Sequence, residues 1–213
     1  AMRPDDGSVV WQTRVGRGGA LGGVHWGIAA NNDLGLVYVP NSDRQAGVLT
    51  GPGEAQPGLF ALNIETGEIE WHFRPEPMCD RCWPGLSSAI TVTDEVVFTG
   101  TLDGVLAAVD AKSGELLWSE ETSGRSYDAV NGGQAQGGAF DAHGPLVVDD
   151  LLLVSSGYGG FFQRGGNAFM VFTLPSEHLS SVQLSSEQLS SGQLSSEQLS
   201  SEQLSAEQEW GDE

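Results

Sequence analysis

The string Leu59-Phe60-Ala61-Leu62-Asn63-Ile64-Glu65-Thr66-Gly67-Glu68-Ile69-Glu70-Trp71 aligns without a gap on Leu106-Ala107-Ala108-Val109-Asp110-Ala111-Lys112-Ser113-Gly114-Glu115-Leu116-Leu117-Trp118, an offset of 118 − 71 = 47 residues. A shortened copy opens the chain, where Asp6-Gly7-Ser8-Val9-Val10-Trp11 keeps the Gly-to-Trp spacing. A degraded copy, Asn167-Ala168-Phe169-Met170-Val171-Phe172, lacks both the Gly and the Trp. Self-similarity at periods of about 40–60 residues in strand-forming units belongs to propeller blades, and not to helical solenoids.

The repeat carries its own folding instructions. Leu106, Ala108 and Asp110 alternate with Ala107 and Val109, so one strand presents two differently packed faces, as a blade stacked on both sides requires. Asn63 or Asp110 followed by Thr66-Gly67 or Ser113-Gly114 is turn chemistry. The side chain accepts backbone N–H bonds, and the glycine takes the positive φ that reverses the chain. Trp71 or Trp118 on the next strand is large enough to fill the gap between adjacent blades. Asp103-Gly104, between Val96–Thr101 and Val105–Val109, is a two-residue hairpin signal.

Ala-x-Asp/Asn-x-x-Thr/Ser-Gly-Glu-x-x-Trp, met at Ala61, Asn63, Thr66, Gly67 and Trp71 and again at Ala108, Asp110, Ser113, Gly114 and Trp118, resembles the tryptophan-docking motif of quinoprotein β-propellers. Gly22-Gly23-Val24-His25-Trp26-Gly27, Val37–Asp43, Val97–Gly104 and Ser156-Gly157-Tyr158-Gly159 are similar to the polyvinyl-alcohol-dehydrogenase-like branch of that family. The expected fold is therefore all-β: about three four-stranded blades over residues 1–173, the C-terminal part of a ring that in this family has eight. An open array would leave two unpaired apolar blade faces. The remaining blades or a second chain are the expected partners.

The resemblance implies a periplasmic or secreted enzyme that oxidises alcohols with pyrroloquinoline quinone and calcium and passes electrons to cytochrome c. Lacking blades, this chain is expected to be inactive alone. A non-catalytic envelope scaffold that binds protein partners is the alternative. Such chemistry needs a carboxylate base, cations for the cofactor's carboxylates and a flat aromatic platform. Asp43, after the Val37–Pro40 strand, is the candidate base, and its neighbour Arg44 the candidate cation; as a loop ion pair the two need no function. Trp26 is the candidate platform or a core residue. Asn131 and Asp141, in a glycine-rich segment, and Tyr158 complete the cofactor-binding candidates. No residue set is assigned to a metal.

Composition removes other classes. The formal charge is −20, and residues 174–213 hold eight acids without a base, leaving −12 for the rest. Lys112 is the only lysine, so nucleic acid and anionic membranes, which need clustered cations, are not expected partners. No apolar run approaches the roughly 20 residues of a membrane helix, and residues 1–10 lack the apolar core of a secretory signal. There is no Gly-x-Ser-x-Gly, phosphate loop or zinc pattern. Cys79 and Cys82, the only cysteines, are followed by Trp83 where covalent haem attachment needs His. A short-loop disulfide is preferred, with a reduced or redox-active pair still open.

From Leu184 to Leu204 leucine recurs every fifth residue, which forms neither a helical stripe nor one face of a strand. A pentapeptide solenoid would bury Glu187, Glu197 and Glu202. The segment 174–213 is expected to be a disordered or partly helical acidic linker.

Overall fold

The structure, a computed structural model, describes residues 1–20, 22–44, 50–160 and 163–173; the acidic segment 174–213, with its expected linker character, lies outside them. Thirteen strands and no helix occur among the described residues. The first sheet runs β1 (Ala29–Asn31), β2 (Leu36–Asn41), β3 (Gly58–Asn63), β4 (Ile69–Phe73). The second repeats it as β5 (Thr91–Val92), β6 (Val96–Gly100), β7 (Val105–Asp110), β8 (Leu116–Glu121). After a small hairpin, β9 (Ser126–Asp128) with β10 (Gln134–Gln136), come β11 (Leu146–Val148), β12 (Leu151–Ser156) and β13 (Ala168–Thr173), a three-stranded sheet among the described residues. Every pairing is antiparallel between sequence neighbours, which is the construction of propeller blades.

The two full blades are copies down to their irregularities. Ala61 faces Trp71 and Ala108 faces Trp118, and in both sheets the register slips one residue later. Asn63 Oδ1 accepts the amides of Glu65 and Thr66 at 3.0 and 3.1 Å, and Asp110 Oδ1 accepts those of Lys112 and Ser113 at 3.0 and 2.6 Å. Gly67 and Gly114 then take φ of 75° and 78°. The glycine has a second task. A Cβ on Gly114 would stand 2.7 Å from the Trp71 ring, and one on Gly67 would stand 2.5 Å from the Trp11 ring. Each indole thus seats on the turn glycine of the following blade.

The opening copy is longer than its sequence reading. Arg3 N–H bonds Ser8 O and Gly7 N–H bonds Arg3 O, both at 2.9 Å, the same pair of bonds that Asn63 and Gly67 make in the first blade. Residues 1–11 therefore form a complete docking turn, with Arg3 standing where the motif has Asn or Asp. Trp11 Nε1 donates to Ile64 O at 3.0 Å. At the position 47 residues on, Ala111 O instead accepts the Tyr38 hydroxyl at 3.0 Å.

Two apolar layers hold the sheets. Leu36, Tyr38, Leu59, Leu86, Ile90 and Val97 fill the space between the first and second blades. Leu106, Phe140, Leu152 and Val154 fill the next space, with Trp118 edge-on to Phe172 at 5.4 Å. The opposite face of the third sheet turns Leu146, Val148, Leu151, Phe169 and Val171 outward.

His72 reports on the first blade. It stacks on Phe60 at 3.7 Å between centroids, Arg74 Nε donates to its Nδ1 at 3.1 Å, and its Nε2 lies 3.2 Å from Pro57 O. Burial, reinforced by the Arg74 charge, pushes its pKa down from 6.5 to about 4 against the opposing effect of the Pro57 carbonyl. The unfolded chain binds the proton first, so stability is flat above pH 6.5 and falls as pH drops towards 4. Urea midpoints of wild type and His72→Phe should diverge in that window, the wild type losing more. Parallel profiles would contradict this reading.

Candidate functional site at the mouth of the blades

Antiparallel order puts the longer connections on one edge of the sheets. Of the described residues, 22–28, 42–44, 50–57, 74–90, 122–145, 157–160 and 163–167 all lie there, with the tight 101–104 turn. The opposite edge carries the short turns 32–35, 64–68, 93–95, 111–115 and 149–150. Loops on a rigid frame are where binding groups collect. The three stretches leading into the innermost strands β1, β5 and β11 meet on this edge. His25 Nδ1 lies 2.9 Å from Ser87 Oγ, Ala89 N–H donates to Ala142 O at 2.9 Å, and a Cβ on Gly144 would collide with Ala89 O.

Trp26 and Asp141, 115 residues apart, come together here. Trp26 Nε1 donates to Asp141 Oδ1 at 2.8 Å, although the indole is 57% exposed. Asp141 is only 9% exposed and also accepts Ala142 N–H at 2.8 Å and Gln163 Nε2 at 3.1 Å. The indole is held by its polar edge while its ring stays open to solvent, an arrangement that fits a planar ligand. Tyr158, exposed, lies in the β12–β13 connection, and Asn131 sits at the exposed tip of the β9–β10 hairpin.

Asp43 has a different task from the one its position after β2 points to. It is 0% exposed, and its oxygens accept the amides of Arg17 at 2.7 Å, Gly18 at 2.9 Å and Gln56 at 3.2 Å. Burial raises its pKa, but these N–H donors and Asn41 outweigh that and hold it below the ordinary 3.8. An acid-strengthened carboxylate facing backbone is a loop clamp, where a general base needs an oxygen facing substrate. The guanidinium of Arg44 lies 5.3 Å from the centre of the Trp83 ring, and Trp83 Nε1 donates to Asp43 O at 3.2 Å. Cys79 and Cys82 form a disulfide in the same 74–90 connection, between Met78, whose amide bonds Asp103 Oδ2 at 3.1 Å, and Trp83.

Among the described residues no three His, Cys, Asp or Glu side chains gather to hold a metal ion, and no helix is long and apolar enough to cross a membrane. Sequence reasoning missed Ser87, Ala89, Ala142 and Gln163, whose contacts join segments far apart along the chain.

Residues 1–157 match the family PQQ_2, described as outer membrane protein assembly factor BamB. Polyvinylalcohol dehydrogenase of Pseudomonas sp is 40% identical over 82% of this chain and 28% of its own length. Polyvinylalcohol dehydrogenase of Sphingopyxis sp. (strain 113P3) is 34% identical over 79% of this chain and 27% of its own. The chain thus spans under a third of either relative. Among solved structures, quinohemoprotein alcohol dehydrogenase from Comamonas testosteroni aligns with TM-score 0.43 and 19% identity, covering 63% of this chain and 17% of that one.

Proposed function

The chain belongs to the PQQ_2 family of quinoprotein-type β-propellers, and from that membership we propose that it supplies blades to a pyrroloquinoline-quinone-dependent alcohol dehydrogenase acting on polymeric or simple alcohols. The observation that carries the reading is Trp26, an open indole tethered by its N–H at the mouth of the blades. Bound there, the quinone supplies the electron-pair acceptor for alcohol oxidation. The chain's own part is to stack the planar ring on Trp26 and keep that indole in place through Asp141. Arg44, on the same edge, is the cation offered to ligand carboxylates.

A proton-accepting carboxylate and calcium ligands would come from other blades, so the chain alone is expected to bind quinone without turning over alcohol. The blades would work in a periplasmic or secreted setting, with cytochrome c as electron acceptor. The scaffold reading is kept because the family description is that of an assembly factor.

Titration with pyrroloquinoline quinone, read by tryptophan fluorescence, separates the two. Saturable quenching that is lost in Trp26→Ala supports the dehydrogenase reading. No quenching at about 1 mM, which means less than roughly 4 kcal/mol of binding, leaves the scaffold.

A further inference from the structure

We propose that Asp141 is a positioning residue: it does not touch the ligand but fixes the Trp26 indole and makes its ring more electron-rich, so that the pair selects electron-poor planar ligands. The inference rests on the quinone reading of the mouth. Asp141 Oδ1 takes Trp26 Nε1 and Ala142 N–H, both at 2.8 Å, and Oδ2 takes Gln163 Nε2 at 3.1 Å. Those contacts use both oxygens of a carboxylate that is 9% exposed, so little of it is left to face a ligand.

The backbone on both sides of Asp141 is itself held in place. Phe140 N–H bonds Thr101 O at 3.1 Å, Ala139 N–H bonds Arg164 O at 2.9 Å, and Ala142 takes φ of 62° to offer its carbonyl to Ala89. A side chain locked by such a shell can lock another. Trp26 comes from the first blade, Ala89 precedes the second, and Gln163 belongs to the third. The carboxylate joins Trp26 to the third sheet's connection, and the next residue's carbonyl, Ala142 O, joins the same point to the stretch before the second sheet. An indole N–H donated to a charged acceptor is polarised towards a more negative π face, which favours stacking with an ortho-quinone or another ring bearing electron-withdrawing groups.

The test uses Trp26→Phe, Asp141→Leu, their double variant and Asp141→Asn, which keeps an acceptor oxygen. The first readout is near-ultraviolet circular dichroism without ligand. The band that disappears in Trp26→Phe should be present in wild type and Asp141→Asn and largely lost in Asp141→Leu, with thermal midpoints confirming that each variant is folded. The second is quinone affinity by fluorescence. Asp141→Leu should weaken it about tenfold, the order expected for one charge-assisted hydrogen bond, and the double variant should bind no more weakly than Trp26→Phe alone.

Losses that multiply in the double variant would mean that Asp141 meets the ligand itself and would overturn the proposal. An unchanged Trp26 band in Asp141→Leu would overturn it whatever the ligand. Should Asp141→Leu not fold, the same band is compared between Asp141→Asn and Asp141→Ser, and equal bands overturn it. A wild type that quinone does not quench, with the Trp26 band behaving as expected, sinks the quinone reading and leaves the indole positioning standing.

Discussion

Trp71→Ala is expected to lower the unfolding free energy by about 3–4 kcal/mol, the lower part of the range for truncating a large aromatic, because the indole is partly buried. The indole seats on Gly114 of the second blade and lies 5.8 Å from the Tyr38 ring, so its removal opens a void between two sheets that cannot easily close it. Urea unfolding followed by far-ultraviolet circular dichroism reads the loss; at a slope of about 2 kcal/mol/M the midpoint falls by roughly 2 M. Gly114→Ala isolates the contact when compared with Gly35→Ala. Both residues have positive φ, 78° and 65°, but only Gly114 has a ring where the new Cβ would go. Gly114→Ala should be the more damaging by about 1–3 kcal/mol, the range for overpacking. A loss under about 1 kcal/mol for Trp71→Ala would mean that the blades are held by something else.

Asp43→Ala should cost about 3–5 kcal/mol, because the buried amides of Arg17, Gly18 and Gln56 lose their acceptor at once and such losses are not fully additive. Asp43→Asn keeps one acceptor oxygen and should cost less. The sign with pH follows from the lowered folded pKa. The carboxylate's contribution is present above 3.8 and is lost as pH falls through the folded value, so wild type and Asp43→Ala should converge in acid. Chemical denaturation at pH 7 and near pH 3 measures both. Full stability of Asp43→Ala at neutral pH would return Asp43 to the list of groups available for chemistry.

The repeat was legible because its information is local. Turn acceptor, positive-φ glycine and docking indole lie within one string, and the structure adds to them only the partner of each ring. The opening copy was legible in part, since Arg3 replaces the side chain that announces the turn while the backbone bonds persist without it. At the mouth the limits are physical. Asp43 at a strand end reads the same whether it faces substrate or three converging amides, because those amides come from segments 25, 26 and 13 residues away. Trp26 and Asp141 were each picked out by glycine-rich surroundings, yet nothing in either string says that they meet across 115 residues. Cys79 and Cys82 pair in the structure, where a short turn brings Cys82 N–H to Cys79 O at 2.9 Å.

Both the mouth and the quinone reading stand on blades aligned by indoles seated on glycines. The nuclear Overhauser spectrum of the chain, labelled at glycine, tests that seat most directly. Gly114 Hα should show cross-peaks to the Trp71 six-membered ring and an upfield ring-current shift that disappears in Trp71→Leu. A Gly114 Hα at its random-coil position, with no cross-peak to any indole, would contradict the account.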